Sequence, residues 1–188
     1  MQKIIVAVTG ASGVIYAERI INKLAKLSSS IAEVALVFTE NGKKVWEYEL
    51  KQEPAFNPPV REYDNADMFA PMASGSAGYD AMVIIPCTMG TIGRIAAGTS
   101  TDLICRAADV MLKERRKLIL VPRELPYNLI HLQNMTTLTQ AGAVVIPASP
   151  SFYSHPKTIE ELTDTVVDRI IEMLGFRIEH YRWGEKSS

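Results

Sequence analysis

Two segments of this sequence combine glycine with hydroxyl side chains, and each lies between an apolar run and a helical pattern. The first is Thr9-Gly10-Ala11-Ser12-Gly13, and the second is Pro86-Cys87-Thr88-Met89-Gly90-Thr91. The first turn of a helix presents backbone N–H groups that have no intrahelical partner, so either segment could bind an anion or the polar edge of a ring. Taken alone, the first could equally be a tight turn, and the second could be a simple helix cap.

The spacing within the two segments indicates the kind of ligand. Thr88 and Thr91 place two hydroxyls three residues apart at a helix start, which suits a single phosphate. Segment 9–13 lacks the third glycine of the Gly-x-Gly-x-x-Gly fingerprint, and this argues against a pyrophosphate. Two such segments at one sheet edge favour a mononucleotide, and FMN fits them better than NAD.

The densest cluster of charge is the segment RAADVMLKERRKLILVPRE, residues 106–124. Arg106 and Lys113 are two helical turns apart, so they share a face of the helix. Arg123 and Glu124 leave a core strand, where we expect them to form an Arg–Glu pair shielded from solvent. That position favours a binding site over a surface salt bridge.

Two further polar residues follow in the last third of the chain. Tyr153 belongs to the loop Pro150-Ser151-Phe152-Tyr153, which follows another apolar run. Arg169 interrupts the apolar stripe of the last helical pattern, in VVDRII, and could bind an anion.

Short apolar runs precede these polar segments and predict the elements that position them. Runs rich in Val and Ile without polar alternation are typical of parallel strands covered by helices on both faces. The predicted strands are residues 3–8, 33–38, 81–86, 117–121 and 143–147. The helical patterns between and after them are 13–27, 40–50, 89–97, 101–115, 128–141 and 158–174, with Thr39 and Thr158 as possible caps. Alternating strands and helices predict an open, doubly wound α/β sheet, whose ligand lies beyond the carboxyl ends of the strands.

The same pattern predicts one domain over residues 1–175, followed by a tail at 176–188 that carries Tyr181 and Trp183. Residues 51–80 contain four prolines and a run of Ser and Gly, so little regular structure is expected there.

The composition excludes several classes of function. The 188 residues carry a net charge of −1, which gives no reason to expect a nucleic acid or an anionic membrane as partner. No apolar stretch approaches the roughly 20 residues of a membrane helix, and the first residues do not follow the order of a signal peptide. Cys87 and Cys105 resemble no metal-ligand set and are expected in the core, so we expect a cytoplasmic, reduced protein without a bound metal.

Five motifs carry a resemblance that spans most of the chain. They are TGASG (9–13), ASGS (73–76), the block at 106–124, IHLQNM (130–135) and PSFYSHP (150–156). On these motifs the chain resembles the UbiX/Pad family of flavin prenyltransferases from Lys3 to about Gly175. The resemblance implies a flavodoxin-like (Rossmann-like) fold with a mostly parallel sheet, and a homo-oligomer, usually a dodecamer. It also implies transfer of the dimethylallyl group of dimethylallyl phosphate to reduced FMN. The product, prenylated FMN, serves a partner UbiD-type decarboxylase.

The resemblance further implies roles for individual residues. FMN is expected on Gly10, Ala11, Ser12, Thr39, Thr88, Met89, Gly90, Thr91 and Arg123. The prenyl phosphate is expected on Gly75, Arg106, Lys113, Glu124, Tyr153 and Arg169. The residues expected to act in catalysis are Ser12, Glu49, Lys113 and Glu124. Because some sites in the family form between subunits, a monomer is not expected to be active.

The chemistry expected of these residues needs no metal. The sequence contains no Asp-rich motif to hold Mg²⁺, so Lys and Arg side chains must stabilise the charge that grows on the departing phosphate. Glu124 can pass a proton to the phosphate, and Tyr153 can donate a hydrogen bond to it. Ser12 and Glu49 are placed to manage protons as carbon bonds form to N5 and then C6 of the flavin. Residues 66–74 are expected to exclude water.

Three alternatives stay open from the sequence. An FMN-dependent decarboxylase of cysteine substrates would use a catalytic histidine, but core or surface roles are expected for His131 and His155, and APMASGS lacks the asparagine of that loop. A passive flavin carrier would need the two glycine-containing loops but not the cluster of Lys113 and Glu124. A diphosphate donor stays an alternative to the monophosphate.

Overall fold

The apolar runs form a six-stranded sheet in the computed structural model, which describes residues 1–182 and residue 184. The strands are β1 Gln2–Val8, β2 Ile31–Phe38, β3 Val60–Asp64, β4 Ala81–Cys87, β5 Lys117–Pro122 and β6 Val144–Val145. Their order across the sheet is β3-β2-β1-β4-β5-β6, and the neighbouring strands pair in parallel. The predicted doubly wound α/β sheet is confirmed, although β6 is shorter than the predicted 143–147.

Helices cover both faces of this sheet, as the apolar strands predict. They are α1 Val14–Lys26, α2 Glu40–Leu50, α3 Met89–Ala96, α4 Leu103–Lys113, α5 Leu129–Gln140 and α6 Ile159–Met173. Alternate residues of β1 enter two separate cores: Ile4 and Val6 pack with α1, α2 and α6, whereas Ile5 and Ala7 pack with α3, α4 and α5. Each helix in the described part of the chain is too short or too polar to traverse a membrane.

The sequence prediction was wrong about part of segment 51–80, because residues 60–64 form an edge strand there. β3 pairs with β2 from Val34 opposite Val60 to Phe38 opposite Asp64. Most of its side chains are exposed, as suits a sheet edge, so it lacks the apolar run that marked the other strands. Two 3₁₀ turns, at 71–73 and 75–77, then lead into β4.

Local side-chain chemistry sets the helix ends close to their predicted positions. Thr39 Oγ1 accepts a hydrogen bond from the Gly42 amide at 2.9 Å and starts α2. Thr158 Oγ1 accepts one from the Glu161 amide at 3.1 Å and starts α6. At the other end of α6, Gly175 adopts a φ of 99°, which residues with a side chain rarely adopt.

Both cysteines are buried and free, as the sequence predicts. Burial raises the pKa of the Cys105 thiol to about 12 and also raises that of Cys87. These thiols are therefore core side chains without nucleophilic character.

The segment after α6 is only partly covered by the structure. Phe176 is buried in the core of α1 and α6, whereas Tyr181 is 45% exposed. Trp183 and residues 185–188 lie outside the described residues. The domain boundary at residue 175 stays a prediction.

Candidate active site

The order of the strands creates a crevice between β1 and β4. The chain runs from β1 outward to β2 and β3, and then returns to β4 on the other side of β1. Ligands of open α/β sheets bind where the strand order reverses in this way, at the carboxyl ends. The two loops that border this crevice are 9–13 and 88–91, the segments that the sequence singled out.

Thr9 holds these two loops together. Its hydroxyl donates a hydrogen bond to the Pro86 carbonyl at 2.8 Å and accepts one from the Thr88 amide at 2.8 Å. Its own amide donates to the Pro86 carbonyl at 3.2 Å. The residue is only 1% exposed, so its hydroxyl is fully committed to bridging the loops. The sequence analysis quoted Thr9 without assigning this role, because the partner loop is 77 residues away.

The loop after β4 presents two hydroxyls at the start of α3. Thr88 Oγ1 lies 3.0 Å from Thr91 Oγ1 and accepts a hydrogen bond from the Thr91 amide at 3.2 Å. The amides of Met89 and Gly90 belong to the first helical turn, where no intrahelical acceptor exists. Thr88 and Thr91 line a cavity of about 290 Å³ between the two loops, which Thr9, Gly10 and Thr39 also line. The arrangement suits a phosphate monoester.

Gly10 is required where the first loop meets α2. A side chain there would place its Cβ 2.7 Å from Cβ of Asn41, closer than packed carbon atoms approach. The glycine therefore allows α2 to start directly beside the crevice. Asn41 and Thr39 line the cavity from that side.

Glu49 has a structural contact that the sequence did not predict. Its carboxylate accepts hydrogen bonds from the Gly13 amide at 2.9 Å and from the Val14 amide at 3.1 Å. The expectation of free amides in the first loop is therefore wrong at Gly13, because a side chain from α2 caps α1. It is also wrong at Ala11, whose amide donates to the Thr9 carbonyl at 2.9 Å. Within the loop, Ala11 is buried and Ser12 is exposed beside this cap.

Arg123 and Glu124 leave β5 in different directions. Arg123 Nε donates to the Ser12 carbonyl at 3.2 Å, so this side chain reaches from β5 to the first loop. Glu124 Oε1 instead accepts a hydrogen bond from the neighbouring Leu125 amide at 3.1 Å. Both residues are exposed in the chain, which corrects the expectation of a shielded Arg–Glu pair.

Three of the predicted substrate residues lie on α4 or beside it, and two of them, Lys113 and Gly75, are away from the crevice. Lys113 ends α4 and forms a 2.6 Å ion pair with Glu114. Since α4 leads into the start of β5, this end of the helix is at the amino edge of the sheet, opposite the crevice. Gly75 packs against Glu114, and Arg106 Nε donates to the Ala73 carbonyl at 3.0 Å.

Tyr153 and Arg169 border a third region, beside α6. A cavity of about 500 Å³ is lined by Ser151, Arg169 and Tyr181, and an adjoining one of about 650 Å³ by Ser151, Tyr153 and Tyr181. Arg169 Nη1 lies 3.3 Å from Glu172 Oε2. One chain therefore distributes the predicted site residues over three regions and does not bring Lys113, Glu124, Tyr153 and Arg169 together.

Glu172 connects the segment after α6 to that helix. His180 Nε2 lies 2.9 Å and Arg182 Nη2 lies 3.0 Å from Glu172 Oε1. The contact with His180, followed by the one with Arg182, lowers the pKa of Glu172 to about 2. The ionised carboxylate thereby positions Tyr181 beside the α6 cavities.

An apolar surface starts immediately after Glu124. Leu125 is 87% exposed, Leu129 is 69% exposed and Ile130 is 66% exposed, and Tyr127 and Leu132 lie on the same segment. We call these five residues the 125–132 patch. Large apolar side chains grouped on a surface indicate a protein contact.

The described histidines lie outside the cavity between the two loops. His131 caps the start of α5 through Asn128, with its amide 2.9 Å from Asn128 Oδ1. His155 lines the cavity of Tyr153, and His180 contacts Glu172. This geometry gives no support to a catalytic histidine at the crevice. In the described part of the chain, no group of three or more His, Cys, Asp or Glu side chains could hold a metal ion.

Comparison with known proteins identifies the family. The Flavoprotein family model matches residues 1–173. Flavin prenyltransferase UbiX from Methanocaldococcus jannaschii is 45% identical over 185 residues, which cover 97% of this chain and 98% of that protein.

Two solved structures are similar over nearly the whole chain. AnUbiX (PadA1) in complex with FMN and dimethylallyl pyrophosphate is 36% identical, with a TM-score of 0.86 over 98% of this chain and 99% of that one. A dodecameric FMN-dependent UbiX-like decarboxylase from Escherichia coli O157:H7 is 36% identical, with a TM-score of 0.89 over 98% and 100% of the two chains. The chain has the predicted flavodoxin-like fold, and it belongs to the flavoprotein family and, within it, to the flavin prenyltransferases of the UbiX type.

Proposed function

We propose that this enzyme transfers the dimethylallyl group of dimethylallyl phosphate to N5 and C6 of reduced FMN. The observation that carries the proposal is the crevice in which Thr9 fixes the first loop against the Thr88–Thr91 loop. It offers hydroxyls and helix amides to one phosphate, and it leaves the exposed Ser12 and Arg123 beside the flavin ring. AnUbiX, which shares this fold at 36% identity, has been solved with FMN and dimethylallyl pyrophosphate.

The proposed contacts to FMN are supported by the family resemblance and by the geometry of the crevice. The phosphate binds the hydroxyls of Thr88 and Thr91 and the amides of Met89 and Gly90. Thr39 closes the cavity from α2, and Gly10, Ala11 and Ser12 form the edge along which the ring lies. Arg123, held against the Ser12 carbonyl, contacts the ring from the β5 side.

The proposed reaction breaks the C–O bond of the donor, and its electron pair leaves with the phosphate. Lys113, Arg106 and Arg169 stabilise the charge that grows on the phosphate oxygens. Glu124 supplies a proton to the phosphate, and Tyr153 donates a hydrogen bond to it. As C1 of the dimethylallyl group bonds to N5, the proton of N5 is accepted by Ser12 or Glu49. One of these residues then returns a proton to C2 of the prenyl double bond, the π electrons form that C–H bond, and the electron-deficient C3 bonds to C6, which gives up its own proton to the same residues.

We further propose that this site is completed by neighbouring subunits of a homo-oligomer. Lys113 and Gly75 lie at the amino edge of the sheet, opposite the crevice, and this supports the proposal that they reach the substrate of another copy. The exposed 125–132 patch begins beside Glu124 and provides an apolar surface for such a contact. The similar protein from Escherichia coli is dodecameric, and we propose the same assembly here.

The product is proposed to serve a UbiD-type decarboxylase in the cytoplasm. Two buried, unpaired cysteines are compatible with a reducing compartment. The proposal makes the chain a supplier of cofactor and assigns the decarboxylation itself to the partner.

Mass spectrometry of the flavin tests the proposal. The enzyme is incubated with dithionite-reduced FMN and either dimethylallyl phosphate or the diphosphate, and the flavin is extracted. We expect FMN that has gained one five-carbon unit with the monophosphate, and unmodified FMN when the donor is omitted. Unmodified FMN with both donors would overturn the proposal and favour a flavin carrier.

A further inference from the structure

One positively charged side chain in the crevice has been given no role so far. Arg94 lies in α3, one helical turn after Thr91, and its side chain lines the cavity between the two loops. Its Nη2 donates a hydrogen bond to Thr91 Oγ1 at 3.3 Å, so the guanidinium touches the hydroxyl pair directly. The sequence analysis did not single out Arg94, because it lies inside an ordinary helical pattern.

Arg94 supplies the positive charge in a cavity whose other charged side chains are acidic. Among the described residues that line it, Arg94 is the only cation, whereas Glu40 and Asp102 are acidic. Glu40 is paired with Lys44 on the outer side of α2 at 2.5 Å. Without Arg94, a phosphate dianion would enter a cavity whose own side chains are negative, and like charges at close range oppose binding.

Asp102 fixes the direction of the guanidinium. Its Oδ1 accepts a hydrogen bond from the Cys105 amide at 2.8 Å and thereby starts α4. Its Oδ2 accepts one from Arg94 Nη1 at 2.5 Å. The carboxylate is thus anchored to α4 and holds Arg94 beside Thr91. A guanidinium has five N–H donors, and these contacts occupy two of them, so donors remain for a ligand.

We propose that Arg94 binds the 5′-phosphate of FMN and makes this enzyme select phosphorylated flavin over riboflavin. The inference rests on the proposed function, since it assumes that FMN occupies the crevice with its phosphate at Thr88 and Thr91. Arg94 supplies the charge that the two hydroxyls and the α3 amides lack. Asp102 acts as a positioning residue, because it orients the guanidinium without contacting the phosphate.

Binding of FMN and riboflavin to Arg94 variants tests the inference. Affinities of the full-length enzyme are measured by quenching of flavin fluorescence for the wild type, Arg94→Gln and Arg94→Lys. Hydrogen bonds to charged groups are about twice as strong as neutral ones, so we expect Arg94→Gln to weaken FMN binding about tenfold or more. Riboflavin binding should change by less than about twofold, and Arg94→Lys should give an intermediate loss for FMN, since it keeps the charge but not the planar fork.

A matched control and a salt series separate charge from structure. Arg177→Gln removes the same charge from an exposed position and should leave both affinities unchanged. The FMN affinity of the wild type should fall more steeply with salt than that of Arg94→Gln.

Equal affinities of the wild type and Arg94→Gln for FMN would overturn the inference. A parallel loss of FMN and riboflavin binding would also overturn it, because a merely structural role predicts that pattern. If the wild type binds FMN but yields no prenylated product, the proposed reaction fails while the assignment of Arg94 stands. If the wild type does not bind FMN, both fail.

Discussion

At the scale of single residues, the hydroxyls of three threonines join the loops of the flavin crevice and line it. Thr9 joins the two loops, and the pair of Thr88 and Thr91 presents oxygen atoms 3.0 Å apart at the start of α3. Thr91 is almost fully buried, so its hydroxyl has a fixed direction. This hydroxyl accepts a hydrogen bond from Arg94, and in the proposed site it donates one to the phosphate.

Replacing Thr91 by valine tests this assignment. The change keeps the β-branched shape and removes only the hydroxyl, so we expect a stable enzyme that binds FMN about ten- to a hundredfold more weakly, in line with the loss of a charge-assisted hydrogen bond of about 1.5–3 kcal/mol. Flavin content after gel filtration and the dissociation constant of FMN are the measurements. Thr137→Val, an exposed threonine of α5, is the control. Unchanged FMN retention in Thr91→Val would remove Thr91 from the phosphate site.

Glu124 and Lys113 are predicted to act in turnover and not in flavin binding. Glu124→Gln loses the proton donor, and Lys113→Ala loses the charge near the departing phosphate. General-acid and electrostatic effects of this kind are worth about 10²–10³-fold in rate. Each variant should therefore bind FMN normally and form prenylated FMN at least about a hundredfold more slowly, as measured by mass spectrometry of the flavin. If either variant forms prenylated FMN at the normal rate, the protein is better explained as a passive flavin carrier.

At the scale of elements, contacts between distant segments determine the site more than the segments themselves. The carboxylate of Glu49 in α2 caps α1, and Glu172 in α6 holds His180 and Arg182 from the segment that follows. Each contact joins two elements through a charged side chain of one of them.

The contact of Glu172 predicts a dependence of stability on pH. The pKa of Glu172 is lowered from 4.5 to about 2 in the folded chain, so its ionised form stabilises the fold fully above pH 4.5. This contribution is lost as pH falls from 4.5 towards 2. The side chain is accessible to solvent, so we expect an effect below about 1 kcal/mol.

Urea unfolding of the wild type and Glu172→Gln at several pH values measures this effect. The difference between their free energies of unfolding should shrink as the pH falls from 4.5 towards 2. Glu179→Gln, at an exposed neighbouring position, should unfold like the wild type throughout. If the wild type keeps the same additional free energy of unfolding over Glu172→Gln down to pH 2, the low pKa assigned to Glu172 is wrong.

The sequence predicts the elements of this fold well where local chemistry decides them. The strands β1, β2, β4 and β5 are apolar runs, and α2 spans the predicted 40–50 because Thr39 caps it. β3 is missed since an exposed edge strand needs no apolar run.

The site is predictable only in part, for a related physical reason. The two glycine-containing loops can be predicted from their composition, and the order of the strands brings them together. The Thr9 bridge, the Glu49 cap and the Arg94–Asp102 pair each depend on side chains from separate elements. Their partners are set by packing, which a single sequence does not display.

At the scale of the whole molecule, the proposed active site needs residues from more than one chain. The crevice, the α6 cavities and the end of α4 lie in three regions, and the 125–132 patch leaves apolar side chains exposed next to Glu124. Contact between copies would cover this patch and complete the site at the same time.

Charging this patch should separate the copies. Leu129→Glu combined with Ile130→Glu places two carboxylates on an apolar contact, so we expect dissociation into smaller species and loss of prenyl transfer. Both side chains are more than half exposed, so the fold of each chain should persist in circular dichroism. Ile159→Glu, at another exposed isoleucine, is the matched control for light scattering after gel filtration. An intact oligomer that carries the double substitution would show that the patch is not the contact.

Mixed oligomers test the central claim, a flavin crevice that works with cationic residues of a neighbouring copy. Lys113→Ala and Glu124→Gln chains carrying different affinity tags are co-expressed, purified through both tags and assayed for prenylated FMN. The account predicts that each variant alone is inactive, whereas mixed oligomers regain a clear fraction of wild-type activity, because some sites receive intact residues from both chains. Mixed oligomers that bind FMN but stay as inactive as their parents would contradict it.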